Sequence, residues 1–141
     1  MKFLKLFATA LVLLGFCGAW LPGSAHAKGI RWQSYADGMA RSKSENKKMF
    51  VHFYADWCRT CKIMEKKTFK DPGVIAALNK NYIPVKVNVD KSRKISEIFR
   101  IKLLPDTYFI TEDNRIIAHR PGYIAPDQLK AILRMYLEDD L

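Results

Sequence analysis

Along the chain, short apolar runs rich in β-branched and aromatic residues alternate with longer stretches whose apolar positions recur at helical spacing. Ile30-Arg31-Trp32 reads as a short first strand. Residues 34–46 follow as a helix on the spacing of Tyr35 and Met39, with Gly38 a weak point inside it. Met49 to Ala55 is a strand apolar enough to sit at the centre of a sheet. From Cys58 to Phe69 the spacing predicts a helix with Ile63, Met64 and Phe69 toward the core and Lys62, Lys66, Lys67 and Lys70 toward water. Asp71-Pro72-Gly73 interrupts it, Asp71 serving as cap and Pro72 opening a second helical piece that runs to Asn79. Tyr82 to Val89 alternates in part and reads as a strand, Pro84 being tolerable only near its start. A short helix from Ser92, its cap, to Phe99 comes next, then a strand from Leu103 to Ile110 entered through Pro105. The polar turn Thr111 to Asn114 joins that strand to Arg115–His119 as a hairpin. After the break at Pro121-Gly122, Pro126-Asp127 opens a final helix bearing Leu129, Ile132, Leu133, Tyr136 and Leu137. The order β-α-β-α-β-α-β-β-α predicts an α/β fold. A central mixed sheet, with parallel crossover units first and an antiparallel hairpin last, is flanked by helices.

The first 27 residues stand outside that pattern. Lys2 and Lys5, the apolar run from Leu6 to Trp20 and the small-x-small sequence Ala25-His26-Ala27 are the three parts of a secretory signal. Two other readings stay open: a retained membrane helix, for which the uncharged stretch is short, and lipid attachment at Cys17, for which Phe16 is a bulky neighbour. Residues 1–27 are therefore expected to be a removed signal peptide and 28–141 one domain, placed in the periplasm or another extracytoplasmic space. Loss of Lys2 and Lys5 lowers the formal charge from +10 to +8. The basic residues are scattered from Lys28 to Arg134 without a recognition motif, so no nucleic-acid partner is expected. A solvated basic surface, or attraction to acidic partners or anionic lipid, remains.

Removal of Cys17 with the signal would leave Cys58 and Cys61, so a multi-bridge disulfide scaffold is excluded. A structural staple is a poor reading of the pair, because stabilisation grows with loop length and this loop is very short. Two cysteines two residues apart, where a strand hands over to a helix, instead read as a dithiol redox centre. At the helix N-terminus unpaired N–H groups favour an anion by ~0.3 to 2 kcal/mol, which lowers the Cys58 pKa by at most roughly 1.5 units. Arg59 and Lys62 add positive charge. A metal site is disfavoured, since Cys58, Cys61, His52 and His119 lack the second His-x-x-His or Cys-x-x-Cys that zinc wants; no metal is expected. Trp57 is either a partly exposed wall of the site or core packing, and Asp56 either an acid-base group or a solvated loop carboxylate.

The stretch Phe53-Tyr54-Ala55-Asp56-Trp57-Cys58-Arg59-Thr60-Cys61-Lys62, with Thr68-Phe69-Lys70-Asp71-Pro72-Gly73-Val74 after it, resembles the thioredoxin superfamily. Within it the chain is most similar to the branch formed by the C-terminal periplasmic domain of the transmembrane reductase DsbD. The resemblance covers Ile30 to Leu137. It implies a protein thiol-disulfide oxidoreductase, working as a reductase or electron carrier, with Cys58 as nucleophile, Cys61 as resolving thiol and Pro105 as a cis-proline facing them. A cis bond at Leu104-Pro105 would turn the backbone beside Leu104 toward Cys58, ready to pair with an extended peptide. Trp57, Arg59, Thr60, Leu104 and Asp106 are then the expected substrate-binding residues. Asp106, where thioredoxin itself has threonine, would place a carboxylate near the cleft and disfavour acidic clients. His52 stands where the family carries a buried aspartate that moves protons for the second cysteine. It is either a proton relay, suited by an ordinary pKa near 6.5, or a neutral core histidine on the face shared with Tyr54. No cofactor is expected beyond the Cys58-Cys61 couple, since no nicotinamide or flavin motif is present. Electrons would have to come from a separate membrane thiol conduit, the clients being thiols or disulfides of exported proteins and the protein a monomer. The reading from another class is a thioredoxin-fold peptide-binding or chaperone module in which the cysteines matter little.

Overall fold

Residues 29–138 are described by a computed structural model. Strand β1 (Met49–Tyr54) is its centre, because period-two alternation along this strand supplies both cores. Phe50 packs on one face with Met64, Phe69, Leu78, Phe109 and Leu133, while Met49, Val51 and Phe53 pack on the other with Val85, Val87 and Tyr108. Strand β2 (Ile83–Asn88) pairs parallel to β1, and β3 (Asp106–Ile110) pairs antiparallel on its other side. Strand β4 (Ile116–Pro121) completes the order β2-β1-β3-β4, joined to β3 by the expected hairpin with a register shift at Phe109/Ile110. The α/β mixed sheet read from the pattern is thus observed, as are α1 (Tyr35–Glu45), α2 (Arg59–Lys67), α3 (Pro72–Asn81), α4 (Arg93–Ile98) and α5 (Pro126–Glu138). Residues 1–28 and 139–141, with the leader and Cys17, lie outside the described residues.

Four local expectations are corrected. The strand expected at Ile30–Trp32 reduces to a single parallel bridge, Gln33 to Val85. The Asn79 side chain takes the backbone there instead, accepting from Arg31 N–H at 2.9 Å and donating to the Gly29 carbonyl at 3.0 Å. Pro84 is tolerated for a related reason. Its carbonyl faces Gln33 on the outer edge of β2, so the missing N–H falls on that edge and costs no bond to β1. The helix expected through Phe69 ends at Lys67 and tightens into a 3-10 turn, Thr68–Lys70. Ile63, expected inside, is exposed, because Cys61, Met64 and Thr68 occupy the buried i, i+3, i+7 stripe. Ser92 precedes α4 without a capping side-chain bond; its carbonyl receives the Ser96 N–H and hydroxyl. Asp71 does cap α3, accepting from Val74 N–H at 3.0 Å, and Pro72 opens that helix. Gly38, weak by propensity, is required by packing: a Cβ there would lie 2.2 Å from Val85 Cγ2, so α1 approaches β2 only because no side chain intervenes.

Candidate active site

The chain leaves β1 at Tyr54, turns through Ala55-Asp56-Trp57 and enters α2, which places both cysteines just beyond the end of the central strand. Cys58 is the N-cap of α2. Its backbone is extended (φ −74°, ψ 106°) and its Sγ accepts the Cys61 N–H at 3.1 Å, so the sulfur occupies the position where a capping oxygen normally sits. Cys61 lies one turn in. The two are joined as a disulfide with Cα atoms 5.3 Å apart, Cys58 and Cys61 being buried against Ala55 with Tyr54, Val89 and Leu104 around them. In the reduced protein the same cap geometry directs a backbone N–H and the positive end of α2 at a Cys58 thiolate.

The Leu104-Pro105 peptide is cis, as the resemblance implies, and the Pro105 carbonyl receives the Gly122 N–H at 2.7 Å. An open cleft of about 550 Å³ lies over the disulfide, with Trp57, Arg59, Thr60, Leu103 and Leu104 among its walls. Four of the five expected binding residues are therefore brought together, Trp57, Arg59, Thr60 and Leu104. Trp57 is 69% exposed, a wall and not core, and its Nε1–H donates to Asp90 at 3.0 Å. Asp56 is a solvated loop carboxylate facing Lys91 at 3.6 Å.

Asp106 is the exception. It opens β3 with its side chain turned inward, 2% exposed, and its Oδ1 meets His119 Nε2 at 2.8 Å from the neighbouring strand β4. Burial raises its pKa, an effect opposed by the His119 contact. The expected carboxylate at the cleft is corrected: Asp106 is not among the cleft's lining residues, because strand alternation turns it to the face of Tyr108, where it is buried against His119, and the reason for disfavouring acidic clients loses its basis. His119 stacks on Tyr108 at 4.4 Å and takes no part in a metal cluster; among the described residues no group of three or more His, Cys, Asp or Glu is so arranged.

His52 occupies the face of Tyr54, as alternation predicts, with the two rings parallel within 4°. It is wholly buried, edge-on to Phe69 at 4.8 Å, with Nδ1 3.4 Å from Thr107 Oγ1 and no hydrogen-bond partner at Nε2 among the described residues. Burial, and secondarily the charge of Lys86, lowers its pKa to about 3. Lys86 sits opposite His52 across the β1-β2 ladder, with its ammonium 4.2 Å from the Tyr54 ring centroid and 2.5 Å from Glu65 Oε1 on α2. The sequence reading missed Lys86 and Glu65. Lys86 was legible as the polar interruption of Ile83, Val85 and Val87, and Glu65 as the residue one turn beyond Cys61. Val89, Ser96, Ile101, Lys102 and Leu103, which complete the cleft, carried no signal of their own.

The comparisons agree with this geometry. A thioredoxin-like domain model matches residues 35–137. The thioredoxin of Mycoplasmoides gallisepticum is 36% identical over 91 residues, which are 64% of this chain and 86% of that protein. The thiol:disulfide interchange protein DsbD of Vibrio vulnificus is 40% identical over 55 residues, 39% of this chain but 9% of that much longer protein. A thioredoxin from Thermus thermophilus superposes with a TM-score of 0.71 at 20% identity, covering 78% of this chain and 88% of that one. The capped Cys58-Cys61 pair, the cis peptide beside it and the matched 103-residue stretch from 35 to 137 have one reading: this chain belongs to the thioredoxin-like domain family.

Proposed function

We propose that this chain is an exported protein thiol-disulfide oxidoreductase that works in the reducing direction. The observation that carries the chemistry is Cys58 at the N-cap of α2, its sulfur bonded to Cys61 at the floor of an open cleft. In the reduced form the Cys58 thiolate attacks one sulfur of a client disulfide. A Cys58-client bond forms, the client S–S bond breaks, and the departing sulfur takes a proton from solvent. Cys61 then loses its proton to solvent and attacks Cys58, so the client leaves as a dithiol and the protein retains the intramolecular disulfide. Two electrons pass to the client. A dithiol donor must return them, and a membrane thiol conduit is the donor class this reading requires. No bound cofactor enters the cycle.

Similarity to the DsbD domain supports the reducing direction, and the Lys2-to-Ala27 pattern supports export to the periplasm. No helix among the described residues is long and apolar enough to cross a membrane. The clients in this reading are disulfide-bearing exported proteins, and the chain acts as a monomer. His52 takes the role of a neutral core histidine, because a group held to a pKa of about 3 is a poor proton acceptor near neutrality.

The test is to mix fully reduced protein with a disulfide-bonded client protein and to count thiols on both by mass after alkylation. Stoichiometric transfer supports the reading, and absence of transfer overturns it. Equilibration in glutathione buffers decides direction: a potential near about −270 mV is reductant-like and one near about −120 mV oxidant-like. Unchanged function in a Cys58→Ser, Cys61→Ser variant would favour a peptide-binding module instead.

A further inference from the structure

The cleft over the disulfide continues past its own wall. A second depression is lined by Arg93, Glu97 and Arg100, and it shares Val89, Ser96 and Ile101 with the first, so one concave surface runs from Cys58 along α4. Four cations border it, Arg59, Arg93, Arg100 and Lys102, and none of them is ion-paired among the described residues. The nearby carboxylates are otherwise engaged. Asp56 faces Lys91 and Asp90 holds the Trp57 indole, which leaves Glu97 as the free acidic group on this surface. Asp106, which the sequence placed among the binding residues, is buried and does not line this surface.

Arg100 adds a backbone observation. Ile101 N–H bonds to the Ser96 carbonyl and Arg100 N–H to that of Glu97, which is the Schellman closure of α4 with Arg100 at φ 52°. That position ordinarily favours glycine, and here it carries a long cationic side chain at the rim of the groove.

We infer that the preferred client segment is an extended, acidic peptide, whose disulfide meets Cys58 while carboxylates beside it lie along Arg93, Arg100 and Lys102. The inference rests on the redox reading above. An extended chain suits the surface better than an anionic membrane does, because the shallow depression bearing Arg93 and Arg100 leads into the deeper, partly apolar cleft at Cys58, where a chain can enter and a bilayer surface cannot follow. Four cations against the single Glu97 give the groove an excess of positive charge, which raises the encounter rate of anionic segments, an effect that salt weakens.

The experiment measures exchange of the reduced protein with three disulfides: a neutral hydroxyethyl disulfide, and two peptides of one core sequence flanked by either Glu or Lys. The acidic peptide should react about tenfold faster than the basic one at low salt, the ratio falling toward about twofold at high salt. An Arg93→Glu, Arg100→Glu variant should lose or reverse the ratio. Arg100→Gly should reduce the ratio while raising the denaturant midpoint, a combination that general damage to the fold does not produce. Equal rates for the two peptides, with the neutral disulfide still reacting, would overturn the inference and leave the redox reading intact. Binding to anionic phospholipid vesicles without any peptide preference would overturn it in favour of a membrane surface. No exchange with any of the three would overturn both.

Discussion

The two flanks of the Cys58-Cys61 disulfide are built in opposite ways. On the cleft side, Trp57 and Leu103 stand 69% and 66% exposed beside Arg59 and Lys102, an arrangement that costs apolar hydration and is retained where a partner covers it. On the inner side, His52 and Thr107 are fully buried, His52 against Phe69 and Trp32, while the charged pair Lys86–Glu65 beside them reaches partial solvent. One flank is made for encounter and the other for holding the pair in place. A substitution on the first should therefore alter rates with little change in stability, and one on the second should do the reverse.

The sharpest break lies at the sulfurs themselves. Cys58→Ser should abolish exchange, a loss of about a thousandfold or more, because only a thiolate attacks a disulfide. Cys61→Ser should still react once and then stay trapped as a mixed disulfide, visible as an adduct by intact mass.

Next comes the inner flank. Unfolded His52 takes up a proton near its ordinary pKa of 6.5, whereas the folded chain resists until about pH 3, so the folded pKa is depressed. Stability is then full above pH 6.5 and falls as pH drops through that window, by roughly 2 kcal/mol between pH 7 and pH 5. Urea titrations at the two values should show this slope, and His52→Leu should remove it while changing the exchange rate at pH 7 less than about threefold. If His52→Leu instead slows release of the mixed disulfide far more than its formation, the histidine carries protons and the division between the flanks fails.

On the cleft side, Trp57→Ala should lower kcat/KM for peptide disulfides about tenfold, since an exposed aromatic anchor contributes mainly on binding. Its unfolding free energy should move by less than about 0.5 kcal/mol. The smallest effect is expected for Glu65→Gln. The Lys86–Glu65 pair is partly solvated, so its loss should cost about 0.5 to 1 kcal/mol in thermal unfolding.

Most of the fold was legible because each element carried its own punctuation. Asp71-Pro72 capped and opened α3, Pro126 opened α5, and the alternation of Met49 to Tyr54 put His52 on the face of Tyr54. The failures share one cause: a long-range competitor decided a local preference. Asn79, some 48 residues away, took the backbone of Arg31 and left Gln33 a lone bridge. Ile63 lost its place to a stripe fixed by Cys61, Met64 and Thr68. Asp106 was rightly placed beside Pro105 in the chain, but the direction of its side chain depends on the register of β3 between β1 and β4, which pairs it with Phe53 and Pro121. The redox pair needed no such information, because the N-cap role of Cys58 follows from a strand ending and a helix beginning within four residues.

The central claim is that Cys58 and Cys61 form a working two-electron couple in which Cys58 reacts first. Its most direct test is equilibration of the protein across a series of glutathione ratios, with alkylation and intact mass counting thiols at each. Both thiols should appear together along a single two-electron curve, and the Cys61→Ser variant should accumulate one glutathione adduct mapped to Cys58. A disulfide that stays closed even under excess dithiothreitol in the folded protein, or an adduct that forms at Cys61 in preference to Cys58, would contradict it.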